Sequence, residues 1–205
     1  GKSKTKPKMN KYIFTYSKGV SVFDAPQTLD LLNKAADFLK TVVDKKLPVL
    51  IVGTQPAAKD LVKSFALKHK FAYVTERWLG GTLTNFATLS KRIEYFKKTK
   101  VDKDAGKLGK YTKKERLILD RMLEKMAVNF SGLEILNQIP AVLMVVDSKT
   151  HDTAVREAKK INVPIIAVLN NDSDPDGITY PVPANDNSVS SLTWILNKIE
   201  LKING

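Results

Sequence analysis

The chain has 205 residues, 43% of them hydrophobic, enough for one full domain with an insertion and too few for two enzyme domains. It contains no cysteine, which excludes disulfides and thiolate metal sites, and no apolar run approaches the length of a bilayer span. The formal net charge of +13 is unevenly placed: residues 1–18 hold six lysines and no acid, residues 87–130 hold thirteen Lys/Arg against six Asp/Glu, and the rest balances fifteen against fifteen. A neutral scaffold with two concentrated basic segments is an electrostatic footprint for a polyanion. Charge that serves only solubility has no reason to segregate.

The opening GKSKTKPKMNK has no apolar periodicity and reads as an extended basic arm. YIFTY and VSVF then flank Ser17-Lys18-Gly19, a three-residue hairpin loop ending in glycine. Asp24 and Pro26 start a helix whose apolar face is Leu29, Leu32, Ala36, Leu39 and Val43. From Leu47 short apolar runs alternate with helices. The runs are Val49–Val52, Phe71–Val74, Ala141–Val146 and Ile165–Leu169, with a shorter one at Ile178–Val182. Leu61 and Phe65 mark one intervening helix, Ala154, Val155, Ala158 and Ile161 another, and Val189, Leu192, Leu196 and Ile199 the last. Continuously apolar, β-branched runs suit parallel strands covered on both faces. Their alternation with helices predicts a doubly wound α/β domain of about five parallel strands.

The interval between Val74 and Ala141 is far longer than one crossover helix needs. Within it Phe86, Leu89, Ile93 and Phe96 repeat at helical spacing, and so do Leu119, Leu123, Met126, Phe130 and Leu133. Thr112-Lys-Lys-Glu115 matches a capping box at the start of the second run. Two heptad-like helices joined by the basic loop VDKDAGKLGKYTKK predict an inserted antiparallel coiled-coil hairpin that projects from the domain. The expected division is therefore 1–18 for the basic arm and the start of the hairpin strand, 19–86 and 134–205 for the α/β domain, and 87–133 for the insertion.

A doubly wound fold raises the prospect of nucleotide binding or enzymatic activity, so its motifs matter. Neither G-x-x-x-x-G-K-[ST] nor G-x-G-x-x-G occurs, and the first parallel strand runs into Gly53-Thr54-Gln55-Pro56-Ala57. Gly80-Gly81 could leave amides free for an anion, but a lone glycine pair is better read as a tight turn. The two histidines, His69 and His151, sit in no nucleophilic or metal-ligand pattern. Asp172-Ser-Asp174-Pro-Asp176-Gly177 matches the first half of a calcium loop, yet Pro183 stands where the bidentate glutamate belongs, so Asx turns in a rigid loop are expected. No catalytic residue, metal, cofactor or small-molecule substrate is expected.

Glu76 to Leu89 read ERWLGGTLTNFATL, with Arg77 and Trp78 at a strand end, the glycine turn, and Thr82 or Thr84 to cap the next helix. This stretch resembles the signature of the small-subunit ribosomal protein two family in its bacterial or organellar form. Pro7-Lys8-Met9, Tyr12-Ile13-Phe14, Gly19, Asp24, Thr28, Thr112 to Arg116, Val145-Val146-Asp147, Glu157-Ala158, Asp174 to Gly177, Tyr180 to Pro183 and Asn185-Asp186 resemble the family in the same order along the chain. The family has a histidine after the first glycine where this chain has Lys2, and a longer arm ahead of Pro7. The resemblance implies a flavodoxin-like domain with a coiled-coil hairpin, bound to small-subunit ribosomal RNA near the junction of head and body. It also implies neighbouring small-subunit proteins as partners, in bacteria including protein one, on a cytoplasmic or organellar ribosome with no membrane role.

The residues expected to meet RNA follow from charge and from the signature. The arm lysines Lys2, Lys4, Lys6, Lys8 and Lys11 have no apolar face to solvate and favour phosphate. Lys97, Lys98, Lys107, Lys110, Lys113 and Lys114 crowd the hairpin tip, where RNA contact competes with mere solubility. Arg77 either grips phosphate or pairs with Glu76 or Asp60. Trp78 is either a core aromatic or a stacking partner for a base.

Overall fold

The computed structural model describes residues 5–17, 19–107 and 112–205, so Lys2, Lys4, Lys18 and Lys110 lie outside the described residues. A 3-10 turn at Pro7–Tyr12 leads into an antiparallel ribbon of β1 (Ile13–Ser17) and β2 (Val20–Phe23). Ser17 pairs with Val20 at the turn end of the ribbon, and the expected loop residue Lys18 between them lies outside the described residues. Gly19 takes a φ of 79°, the positive value such short hairpin turns require. Asp24 caps α1 (Ala25–Asp44) by accepting from the Gln27 amide at 3.1 Å. The buried stripe of α1 is Leu32, Ala35, Ala36, Leu39 and Val42, and Leu29 is exposed. The first turn is held instead by the Thr28 hydroxyl, which donates to the Pro183 carbonyl at 2.9 Å.

Five strands form one sheet: β3 (Val49–Val52), β4 (Ala72–Val74), β5 (Val142–Val146), β6 (Ile165–Leu169) and β7 (Tyr180–Pro183). Their spatial order is β4-β3-β5-β6-β7 and every pair is parallel. Counted along the chain this is 2-1-3-4-5, a doubly wound order with its switch point between β3 and β5. Pro181 and Pro183 are tolerated because β7 is an edge strand. Alternate residues feed opposite faces. Val142, Met144 and Val146 join a cluster with α1, α2 (Pro56–His69) and α6 (Val189–Asn204). Leu143 and Val145 join the other cluster, with α5 (Asp152–Lys160) and the inserted helices. No helix connects β6 to β7, and Met9, Tyr12 and Ile178 from the N-terminal turn and the connecting loop are buried in that second cluster.

The insertion consists of α3 (Phe86–Asp104) and α4 (Lys113–Phe130). They run antiparallel: the Phe96 and Phe130 rings lie 6.3 Å apart, and farther out Lys103 meets Asp120 at 2.7 Å. Thr112 and Glu115 form the reciprocal capping box at the start of α4. Near the sheet, Leu89, Ile93, Phe96, Leu123 and Phe130 are buried in one cluster with Leu50 of β3 and Leu143 of β5. The turn Ser131–Leu133 clamps this base to β4, because a Cβ on Gly132 would meet the Tyr73 carbonyl oxygen at 2.2 Å. Beyond it the pair leaves the core, and Val101 is 62% exposed.

This gradient makes a stability prediction. Phe96→Ala should cost about 3–5 kcal/mol in urea unfolding, the range for emptying a buried aromatic site. Val101→Ala, one and a half turns farther out, should stay within about 0.5 kcal/mol. Equal losses would show that the distal pair is as firmly packed as its base.

Candidate nucleic-acid interface

The signature segment is organised by a carboxylate on the far side of the cluster. Glu157 lies on α5 among Ala154, Val155 and Ala158, and is 8% exposed. Its Oε1 accepts from the Trp78 indole at 3.0 Å and the Gly81 amide at 2.8 Å. Its Oε2 accepts from the amides of Leu83 and Thr84 at 3.0 and 3.1 Å and from the Thr84 hydroxyl at 3.2 Å. Burial by itself raises the Glu157 carboxyl, but the bonds from Trp78 and these amides outweigh it and hold the carboxyl below its ordinary range. Gly81 has a φ of 88°, so it is the member of the glycine pair that needs glycine. Gly80 faces open space.

This geometry assigns the two signature residues differently. Trp78 is half-buried, packs against the core cluster and is pinned by its indole hydrogen. Arg77 is exposed, and Glu76 pairs with Lys59 instead of with it. Both line a cleft of about 430 Å³ with Thr54, Gly80, Thr150 and His151, at the carboxyl ends of the strands beside the switch point.

That position is where a doubly wound sheet would present phosphate-binding amides. Here an internal side chain uses them. Asp147, in a left-handed conformation with φ 63°, accepts from the Lys149 and Thr150 amides at 3.0 and 3.1 Å, and also from Gln55 and the Thr150 hydroxyl. His151 is equally occupied: Nδ1 donates to the Asp147 carbonyl at 2.8 Å, so Nε2 accepts the Thr54 hydroxyl at 3.1 Å. Asp186, 2% exposed, lies nearby and takes the Asn170 amide at 2.9 Å. Burial, then the charge of Asp147, pushes the Asp186 carboxyl up to about 7.

The expected lysine sites separate by partner. Lys8 is held by Asp174 at 3.5 Å and by Asp176, while the Lys6 amide donates to the Asn171 carbonyl at 2.9 Å. Asn171 in turn reaches Thr5 and Ser21. The loop that resembled half a calcium site is thus the seat of the arm, with Asp172 bound by Lys149 at 2.6 Å. Lys11 lies 4.9 Å from the Tyr12 ring centroid. Lys107 pairs with Asp102 at 3.5 Å. Lys97, Lys98, Lys113 and Lys114 form no ion pair among the described residues, and the last three are exposed. Glu157, Asp147 and Asp186 were not singled out by sequence as site residues. Two signals could have marked Glu157: its place in the family resemblance and its position as a glutamate on the alanine-rich buried stripe of α5.

Fold and site together define a doubly wound α/β scaffold whose strand-end amides are occupied by its own carboxylates, with lysines unpaired among the described residues exposed on the inserted helices: the arrangement of a structural protein. The family model for ribosomal protein S2 matches residues 1–204. The chain is 40% identical over 193 residues to small ribosomal subunit protein uS2c of Cyanophora paradoxa, covering 94% of this chain and 83% of that protein. It is 41% identical over 190 residues to uS2 of Arthrobacter sp. (strain FB24), covering 92% of this chain and 65% of that protein. To uS2 of Karelsulcia muelleri (strain GWSS) it is 36% identical over 195 residues, covering 95% and 88%. The chain belongs to the ribosomal protein S2 family, whose members are structural proteins and not enzymes.

Two outcomes follow from the carboxylates. Glu157→Gln sets an amide against at least two buried donors and should cost about 2–5 kcal/mol in urea unfolding. Faster hydrogen exchange should then appear at residues 81–84. For Asp186, the folded state binds the proton more tightly than the unfolded chain, so this group's contribution is fully present below about pH 4 and is lost as pH rises through about 7. Asp186→Asn keeps the acceptor oxygen. It should therefore match the parent in thermal denaturation at pH 4 and exceed it at pH 8 by on the order of 2 kcal/mol.

Proposed function

We propose that the chain is a structural constituent of the small ribosomal subunit that grips ribosomal RNA with the outer ends of α3 and α4, assisted by the arm and by Arg77. Family membership supports the setting. The observation that carries the RNA contact is the placement of Lys113 and Lys114. They occupy the first turn of α4, where the helix dipole disfavours cations, and neither has an ion-pair partner among the described residues. Charge placed against local stability serves something outside the fold. Lys97 and Lys98 add to it from α3.

The division of labour within the basic segments follows from their partners. Lys8 works inside the protein, fastening the arm to the acidic loop, and so presents less of its charge to phosphate than Lys11. Arg77, ungripped at the mouth of its cleft, offers a guanidinium to a phosphate, with Trp78 as its rigid support. The inserted helices act as a coiled-coil lever that carries the tip lysines away from the sheet. The protein works on a bacterial or organellar ribosome, supporting neighbouring small-subunit proteins, protein one among them.

Phosphate neutralisation releases counterions, so log affinity for small-subunit RNA should fall linearly with log salt, at about −0.7 to −0.9 per phosphate contacted. Lys113→Glu with Lys114→Glu should flatten that slope by about 1 to 2 and weaken binding at low salt. The urea midpoint should stay unchanged, because exposed charges contribute little to folding. A full-strength slope in the double variant, with undiminished cosedimentation with small subunits, would remove the helical tip from the interface.

A further inference from the structure

Helix α4 carries a second apolar stripe that the fold covers only in part, Met126 and Leu79 packing against the core cluster. Ile118, Met122 and Met126 recur at helical spacing, and with Leu79 of the signature loop they floor a groove of about 540 Å³. Ile118 is 58% exposed. The rims are Arg121 and Lys125 on α4 and Arg92 on α3, and no acid lines the groove. Arg92 lies 5.7 Å from the Phe130 ring centroid and roofs the one aromatic there. None of the three cations forms an ion pair among the described residues.

The chemistry of this surface differs from that of the helical tip. RNA is met by cations at its phosphates and by exposed aromatic faces for its bases. A floor of leucine, isoleucine and thioether side chains, with its only ring already covered, offers a base nothing to stack on. Flexible methionines beneath a ring of one charge instead suit an amphipathic helix, whose apolar residues seat at i, i+3, i+4 and i+7 while its flanks answer the rim. All three rim charges are positive, so the flanks must be acidic.

We propose that this groove docks an acidic amphipathic helix of a neighbouring protein, making α4 two-sided: RNA at its first turn and a protein from Ile118 to its end. The proposal rests on the reading that the chain works inside a particle shared with other proteins, but binding can be measured without that particle.

The test uses the full chain and a fluorescent helical peptide about five turns long, with leucine at i, i+3, i+4 and i+7 and glutamate elsewhere. A second peptide with lysine in place of glutamate is the control. The acidic peptide should bind and the basic one should not. Arg121→Glu with Lys125→Glu should weaken binding about tenfold or more, the scale expected when rim charges are reversed. Lys113→Glu with Lys114→Glu changes net charge equally and should leave peptide binding intact while it lowers RNA affinity. The proposal is overturned if neither peptide binds, if both bind alike, or if the tip pair weakens the acidic peptide as much as the rim pair. It is also overturned if the rim pair reduces RNA affinity as much as the tip pair does, since the groove would then belong to RNA. Loss of RNA binding alone would count against the ribosomal-RNA reading and leave the groove's occupant decided by the peptides.

Discussion

The Glu157 carboxylate is the constraint on which the functional face depends. A buried carboxylate is expensive unless its lone pairs are filled, and here five donors from residues 78–84 fill them. The same bonds satisfy three backbone amides that a loop buried beneath helices would otherwise strand. The exchange fixes where α3 begins, because Thr84 immediately precedes its N-cap Asn85. It also fixes which way Trp78 faces, and therefore leaves Arg77 on the surface. One side chain on α5 thus sets the direction of a helix two helices earlier in the chain and the display of a guanidinium at the strand ends.

Charge is sorted by a second constraint, the acidic loop between β6 and β7. With no helix to cover that end of the sheet, the cluster there is closed by Met9 and Tyr12 from the N-terminal turn. A basic segment brought this close needs anchoring, and Asp174 and Asp176 supply it through Lys8. The lysine run is therefore not one surface. Part of it is an internal fastener, and Asp174 is held below its ordinary range first by the Asp176 amide and then, against some burial, by Lys8. Among the described residues, lysines without an ion-pair partner remain on α3 and at the start of α4, and Arg77 is exposed at the signature loop.

The helices α3 and α4 change character along their length. At the base they are core, packed on the same cluster as the strands. At the tip they are a charged rod held by surface ion pairs such as Lys103–Asp120, which add little stability of their own. At the base the pair is fastened to the sheet by the Phe96–Phe130 ring contact and the close approach of Gly132 to β4.

Much of this architecture was legible in the residues. The apolar runs placed every strand of the sheet to within a residue or two, because β-branched segments buried on both faces have no polar alternation to confuse them. The capping box at Thr112 and the 3-4 spacing placed α3 and α4 for the same local reason. Charge segregation and the ERWLGGTLTN signature pointed to a ribosomal polyanion binder. Local patterns could not reveal which charges would be neutralised inside the molecule. Lys8 and its partner Asp176 are 168 positions apart, and Glu157 lies more than seventy from the loop it holds. Nor could periodicity separate the two apolar stripes of α4, since Met126 belongs to the spacing of one and lines the groove of the other. Chain position and spacing determine which segments become helix or strand, because those choices are made by near neighbours. Ion pairing, burial of a carboxylate and exposure of a stripe depend on groups distant in sequence, so only the tertiary packing decided them.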